Sequence, residues 1–183
     1  MTTCKTSTPT LTSLRVLKRS KASARNRRII GIDPGLASTG WGVVDCAGGR
    51  ICYVDHGNIT TPAGQPQAER LFSIMRAVRS VLEIYRPTEA AVEILYFGKN
   101  VSSAIPVAEA RGVIFAALAE HDLPVIEFSP NAIKQGVAGV SRADKKQVQE
   151  MVRIILGLAE KPSPDHAADA LAAAICAANA KVL

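Results

Sequence analysis

The stretch RRIIGIDPGLASTGWGVVD, from Arg27 to Asp45, sets one carboxylate between an apolar run and a glycine-rich turn. Arg28–Asp33 reads as a strand that ends on the acid. Gly40–Cys46 reads as a second strand after the turn, and Ile51–Ile59 as a third beyond Ala47-Gly48-Gly49-Arg50. Turns this short join antiparallel strands. A carboxylate at the end of a buried strand has two ordinary uses, capping a turn or holding a charge, because an unpaired buried acid is expensive.

The remaining pattern constrains the fold. After the loop TTPAGQPQ, the residues Leu71, Ile74, Met75, Val78, Leu82 and Tyr85 follow helical spacing until Pro87 stops the helix. Ala90–Leu95 is a short apolar strand with Glu93 embedded in it. A second helix spans about Ser102–Asp122, with Pro106 in its early turns or kinking it, and Pro124–Phe128 makes a fifth strand. Ser129-Pro130 looks like an N-cap with proline at the first helical position. Ser141-Arg142-Ala143-Asp144 resembles a capping box before the helix that carries Lys145 and Lys146, and Ser163-Pro164-Asp165 opens a last, alanine-rich helix. Three antiparallel strands and then two strand–helix crossovers predict an α/β domain with one five-stranded mixed sheet flanked by helices. A chain of 183 residues has room for one such domain.

Charge divides the chain. Residues 1–28 hold eight Lys or Arg and no acid, whereas residues 29–183 hold fourteen basic and sixteen acidic residues. The basic balance therefore belongs to a Ser/Thr-rich N-terminal extension, 1–28, expected to be disordered, and the domain is assigned to 29–180. The extension has three readings: a nucleic-acid-binding arm, an organellar transit peptide, or residues upstream of the true start. No apolar run reaches the roughly 18 residues of a membrane span, which predicts a soluble protein. The four cysteines (Cys4, Cys46, Cys52, Cys176) show no CxxC spacing, which argues against a zinc site or a disulfide framework and suits a reducing compartment.

Each acid alone has an ordinary explanation: Asp33 as a turn cap, Glu93 as an edge residue, Asp165 as a partner of a helix N-terminus. Together they suggest more. If the first and fourth strands are neighbours, Asp33 and Glu93 stand side by side. On SPDHAADALAAAICAA, Asp165, His166 and Asp169 fall three and four apart and project from one helix face. Three carboxylates and an imidazole around one pocket suit hard divalent cations. The opening GIDPGLASTGWG also resembles that of actin-like and sugar-kinase ATPases, but those folds need a second lobe for which this chain has no room.

The blocks IIGIDPGLASTGWGVV, AVEILYFGKNVSSAIPVAEARGV, NAIKQGVAGVSRADKKQVQEMVRIILGL and DHAADALAAAI resemble, in order, those of the RuvC family of Holliday-junction resolvases, from about Ile29 to Ala178. The resemblance implies a ribonuclease H-like fold, a homodimer, and Mg2+- or Mn2+-dependent nicking of two opposed strands of four-way junction DNA. It implies that Asp33, Glu93 and Asp169 are metal ligands and catalytic. The fourth acidic position of the family falls on His166, which leaves open whether His166 or the neighbouring Asp165 completes the set. Two ions per subunit, about 4 Å apart, are the form such a mechanism takes. Asp33 is the expected bridge between them, with Glu93 and Asp169 on one each and His166 on the ion near the nucleophile.

Lys134 and Lys145 match lysines that the family uses near the cleaved strand, and Lys145 is the expected neutraliser of the scissile phosphate. Local positive charge at Lys99 and Arg111 adds to the expected DNA contacts. Tyr96 matches an aromatic that stacks on junction bases, and Phe97 adjoins it. The helix from Ser102 is the candidate dimer seam. The family also implies the RuvA–RuvB branch-migration complex as a partner, and the cytoplasm of a bacterium as the location, with an organelle left open by the extension. The alternative from a different class is a four-way-junction DNA-binding protein without catalysis.

Overall fold

The computed structural model describes residues 26–95 and 101–180, and the side chains of all of these except 101–103. β1 (Arg27–Asp33), β2 (Ser38–Ala47) and β3 (Arg50–Thr60) form an antiparallel meander. β4 (Glu89–Glu93) pairs parallel to β1, and β5 (Val125–Phe128) parallel to β4, so the sheet order is β3-β2-β1-β4-β5. This is the mixed sheet that the turn lengths and crossovers predict.

β1 begins at Arg27, ahead of the domain boundary assigned at residue 29. Arg27 and Arg28 belong to the sheet because acids on neighbouring strands hold them. Arg27 Nε lies 2.6 Å from Glu89 Oε1, and Arg28 Nε lies 2.7 Å from Asp45 Oδ1. With both arginines included, residues 27–183 carry sixteen basic and sixteen acidic residues, so the domain is neutral overall.

Two helical layers cover the sheet. α1 (Gln67–Tyr85) and α2 (Val101–Glu120) pack on the face that presents Ile30, Ile32, Val43, Ala90 and Val92. α3 (Pro130–Ala138), α4 (Lys145–Leu156) and α5 (Asp165–Asn179) pack on the face that presents Ile29, Val44 and Ala91. The alternation of β1 between the two faces is the period-two pattern of a strand buried on both sides. Pro106 lies inside α2, near its start.

The helix starts are specified locally. Ser129 caps α3 by accepting from the Ala132 amide, with Pro130 at the first position, as expected. The capping box of α4 is displaced from the expected Ser141–Asp144: Asp144 accepts from the Gln147 amide at 2.8 Å, and the Gln147 side chain accepts from the Asp144 amide at 2.9 Å. Because the helix begins at Lys145, Asp144 is the side chain within reach of the third helical N–H.

α5 rests almost directly on the sheet backbone. A Cβ added at Gly31 would lie 1.9 Å from the Ala170 carbonyl oxygen, and one at Gly40 would lie 1.9 Å from that of His166. Apart from the half-buried Asp169, residues Ala167 to Ala177 of α5 are buried within this one chain. The alanine-rich composition of the helix is thereby accounted for by close packing on the strands.

Candidate active site

Ile32 pairs with Val92 across the parallel β1–β4 ladder, so Asp33 and Glu93 follow side by side at the carboxyl ends of both strands. Their parity matches that of Ile29 and Ala91, which directs both acids to the α5 face. Open α/β sheets bind ligands at the carboxyl ends of parallel strands. The first turns of α5 bring in His166 and Asp169, three residues apart. His166 Nδ1 lies 2.6 Å from Asp33 Oδ2. Asp33, His166 and Asp169 each offer one ligand atom, all within 4.8 Å of one another. Glu93 joins these three in lining a cavity of about 290 Å³.

The electrostatics are those of a site short of positive charge. Burial, then the charges of Asp33 and Asp169, push the Glu93 carboxyl up to about 7. Burial likewise raises Asp169 above the ordinary carboxylate range, although Lys145 pulls it down. The hydrogen bond to Asp33 raises the His166 imidazole. Crowded carboxylates whose charge burial disfavours, with an imidazole beside them, are a donor set that a divalent cation fits.

Asp165 and His166 part company at the helix start. His166 turns to Asp33, whereas Asp165 faces α4, where Gln149 Nε2 donates to its Oδ1 at 2.9 Å and Lys145 Nζ lies 3.3 Å from its Oδ2. The ordinary face rule placed Asp165, His166 and Asp169 together; only His166 and Asp169 approach Asp33. Lys145 Nζ also lies 3.1 Å from Asp169 Oδ2. Lys134 and Lys145 line an adjoining cavity that shares Glu93, Pro130 and Asp169 with the first. The two expected lysines are therefore brought to one side of the acidic cluster.

Arg111, expected as a DNA contact, lines the first cavity and is also paired within the fold. Its guanidinium donates to the Glu93 carbonyl oxygen and to the Glu127 carboxylate, and it lies 4.6 Å over the Phe115 ring. With Glu127 neutralising it, Arg111 braces the strand end that carries Glu93. Sequence reasoning missed Glu127 and Gln149. Glu127 interrupts PVIEF as Glu93 interrupts AAVEIL, and Gln149 stands one helical turn after Lys145; both signals are present but common. Tyr96, Phe97 and Lys99 lie outside the described residues, as does the extension through residue 25. Among the described residues, no helix is long and apolar enough to cross a membrane.

The sequence profile of the family described as crossover junction endodeoxyribonuclease RuvC matches residues 29–177. A protein of that description from Chloroflexus aggregans is 56% identical over 149 residues, covering 81% of this chain and 91% of that protein. One from Treponema denticola is 50% identical over 163 residues, covering 88% and 92%. Among solved structures, Thermus thermophilus RuvC in complex with Holliday junction substrate is 38% identical with a TM-score of 0.78, covering 82% of this chain and 92% of that one. The yeast mitochondrial Holliday junction resolvase Ydc2, at 14% identity and a TM-score of 0.58, shares the fold; the match covers 83% of this chain and 79% of that one.

Proposed function

The chain belongs to the RuvC family of crossover junction endodeoxyribonucleases, and we propose that it resolves Holliday junctions by nicking two opposed DNA strands at symmetric sites during recombination and repair. The observation that supports this most is the convergence of Asp33, Glu93, His166 and Asp169 on one cavity at the carboxyl ends of β1 and β4. Asp33, Glu93, His166 and Asp169 would hold Mg2+ or Mn2+, two ions per subunit. Bound there, the ions supply the charge that activates water and steadies the leaving 3′ oxygen of an in-line displacement.

The side chains of this protein do the rest. Asp33 accepts from the imidazole N–H and so fixes the tautomer and orientation of His166, leaving Nε2 available. Lys145 and Lys134, on one side of the acids, offset the charge of the scissile phosphate and its neighbour. Arg111 and Glu127 hold the Glu93 backbone in place. Tyr96, the first residue of the segment with Phe97 and Lys99, is three residues beyond Glu93 in the chain, which suits stacking on unpaired junction bases.

A four-way junction has near two-fold symmetry, so a C2 homodimer offers one active site to each of two opposed strands. Phe72 on α1 and Ile105 on α2 are exposed apolar side chains that such a seam would cover. A bacterial cytoplasm and delivery by the RuvA–RuvB complex complete the proposal.

The test is a synthetic four-way junction incubated with wild type and with Asp33→Asn, scoring binding and cleavage separately in Mg2+ and in Mn2+. Paired symmetric nicks by the wild type, with the variant binding but not cutting, support the reading. If the wild type binds yet cuts with neither metal, the non-catalytic junction-binding alternative takes its place.

A further inference from the structure

Lys145 has two acidic partners of different kinds. Asp169, a quarter exposed, belongs to the cluster with Asp33 and His166, so a cation bound there competes with Lys145 for its carboxylate. Asp165, two-thirds exposed, is outside that cluster and loses nothing when the cluster is filled. Its two oxygens are divided between side chains one turn apart on α4: Oδ1 accepts from Gln149 at 2.9 Å, and Oδ2 lies 3.3 Å from Lys145 Nζ. Gln149 thus orients the carboxylate, and the carboxylate presents one oxygen to the ammonium.

A lysine released by Asp169 would otherwise sweep a wide volume on its four-carbon stem, since an ammonium is a point charge with no fork to fix it. We propose that Asp165 is the positioning residue for Lys145, an anchor outside the cation cluster that keeps the ammonium beside Glu93 and Asp169 when Asp169 turns to a cation. The inference rests on the nuclease reading above. Gln149 acts one step further out, by orienting Asp165. In this role Asp165 is no cation ligand, and its charge matters through Lys145 alone.

The experiment is a double-mutant cycle on junction cleavage under single-turnover conditions, with Lys145→Ala, Asp165→Ala and the pair. Asp165→Ala should slow cleavage roughly tenfold, the lower range for loss of a supporting partner, while junction affinity stays within about twofold. In the Lys145→Ala background it should add nothing, and Asp165→Glu, which keeps the charge, should recover most of the rate. Equal slowing by Asp165→Ala in both backgrounds overturns the proposal, because Asp165 then acts independently of Lys145. So does an unchanged rate in wild type. A second readout needs no activity: the Lys145 methyl signal of 13C-methylated protein in Mg2+, assigned with Lys145→Arg, should be distinct in wild type and collapse to the free-lysine position in Asp165→Ala. Identical spectra would sink the anchor. Failure of the wild type itself to cut with either metal strikes the nuclease reading and this inference with it, whereas a cutting wild type without the coupling removes this inference alone.

Discussion

His166 Nδ1 lies 2.6 Å from Asp33 Oδ2, although 133 residues separate the two in the chain. The contact joins the end of the first strand to the first turn of the last helix, so the site exists only when the domain is closed. The hydrogen bond is also the leading reason that the imidazole holds its proton more tightly than usual. Asp33→Asn should therefore lower the His166 pKa towards its ordinary value, because the amide carries no charge and accepts more weakly. An NMR pH titration of the imidazole in cation-free protein reads this directly. The same variant should lose cleavage by roughly 10²–10³-fold or more, as expected when a ligand is lost from the cations that would stabilise transition-state charge. An unmoved titration would mean that the 2.6 Å contact does not persist in solution.

The acids carry a second expectation. The Glu93 carboxyl is pushed up to about 7, above its ordinary 4.5, by burial first and by Asp33 and Asp169 next. The cation-free fold thus binds this proton more tightly than the unfolded chain does. That contribution to stability is complete below the unfolded value and is lost as pH rises through about 7. Asp169 and His166 are shifted in the same direction. Asp45 and Glu150, held low by Arg28 and Arg153, titrate at more acid pH and leave this window alone. In EDTA the Tm should fall between about pH 5.5 and pH 8, and Mg2+ should restore it more at the upper end, since cation and protons compete for the same oxygens. Glu93→Gln should flatten the slope. A Tm that climbs across this range in EDTA would contradict the arrangement.

Arg111 and Lys134 separate bracing from DNA contact. Arg111 lines the acidic cavity but is paired with Glu127 and the Glu93 carbonyl, whereas Lys134 lines the adjoining cavity beside Glu93. Each phosphate neutralised by a protein cation contributes about one unit to the slope of log affinity against log salt. Lys134→Ala should reduce that slope by about one for junction binding. Arg111→Lys should leave it unchanged yet cost roughly 1–3 kcal/mol of stability, because a lysine cannot serve both acceptors and leaves one without a donor. Equal changes of slope in the two variants would return Arg111 to the DNA surface.

Much of this was legible before the fold was described, for reasons that can be stated residue by residue. Short glycine turns imposed the antiparallel order of β1, β2 and β3, and the parity of Asp33 and Glu93 followed once β1 and β4 were neighbours. What stayed hidden depends on side-chain reach. Whether Asp165 or His166 meets Asp33 is decided by the roll of α5 on Gly31 and Gly40, which periodicity does not specify. The pairing of Arg111 with Glu127 was hidden because the two lie on different elements, and charge in a sequence does not reveal who neutralises it. The cap of α4 falls on Asp144 rather than Ser141 because the helix begins at Lys145, where Gln147 returns the hydrogen bond.

That roll of α5 gives the last expectation. Gly40 has no side chain because the His166 carbonyl occupies the space: an added Cβ would lie 1.9 Å from that oxygen and 2.8 Å from the Ala167 amide nitrogen. Both atoms are backbone, so neither can swing aside. Gly40→Ala must lift the first turn of α5 away from β2, and that turn carries His166. The strain should cost about 1–3 kcal/mol, the usual range for overpacking, read as a lower midpoint in urea. Cleavage should suffer beyond this loss, even at temperatures where the variant is fully folded, because a displacement near 1 Å at a reacting group can cost about 10²-fold. Gly31→Ala meets the Ala170 carbonyl at the same 1.9 Å, one turn further along α5. It should destabilise comparably while moving His166 less. A Gly40→Ala enzyme that keeps full activity below its midpoint would show that the position of α5 at Gly40 does not set the position of His166.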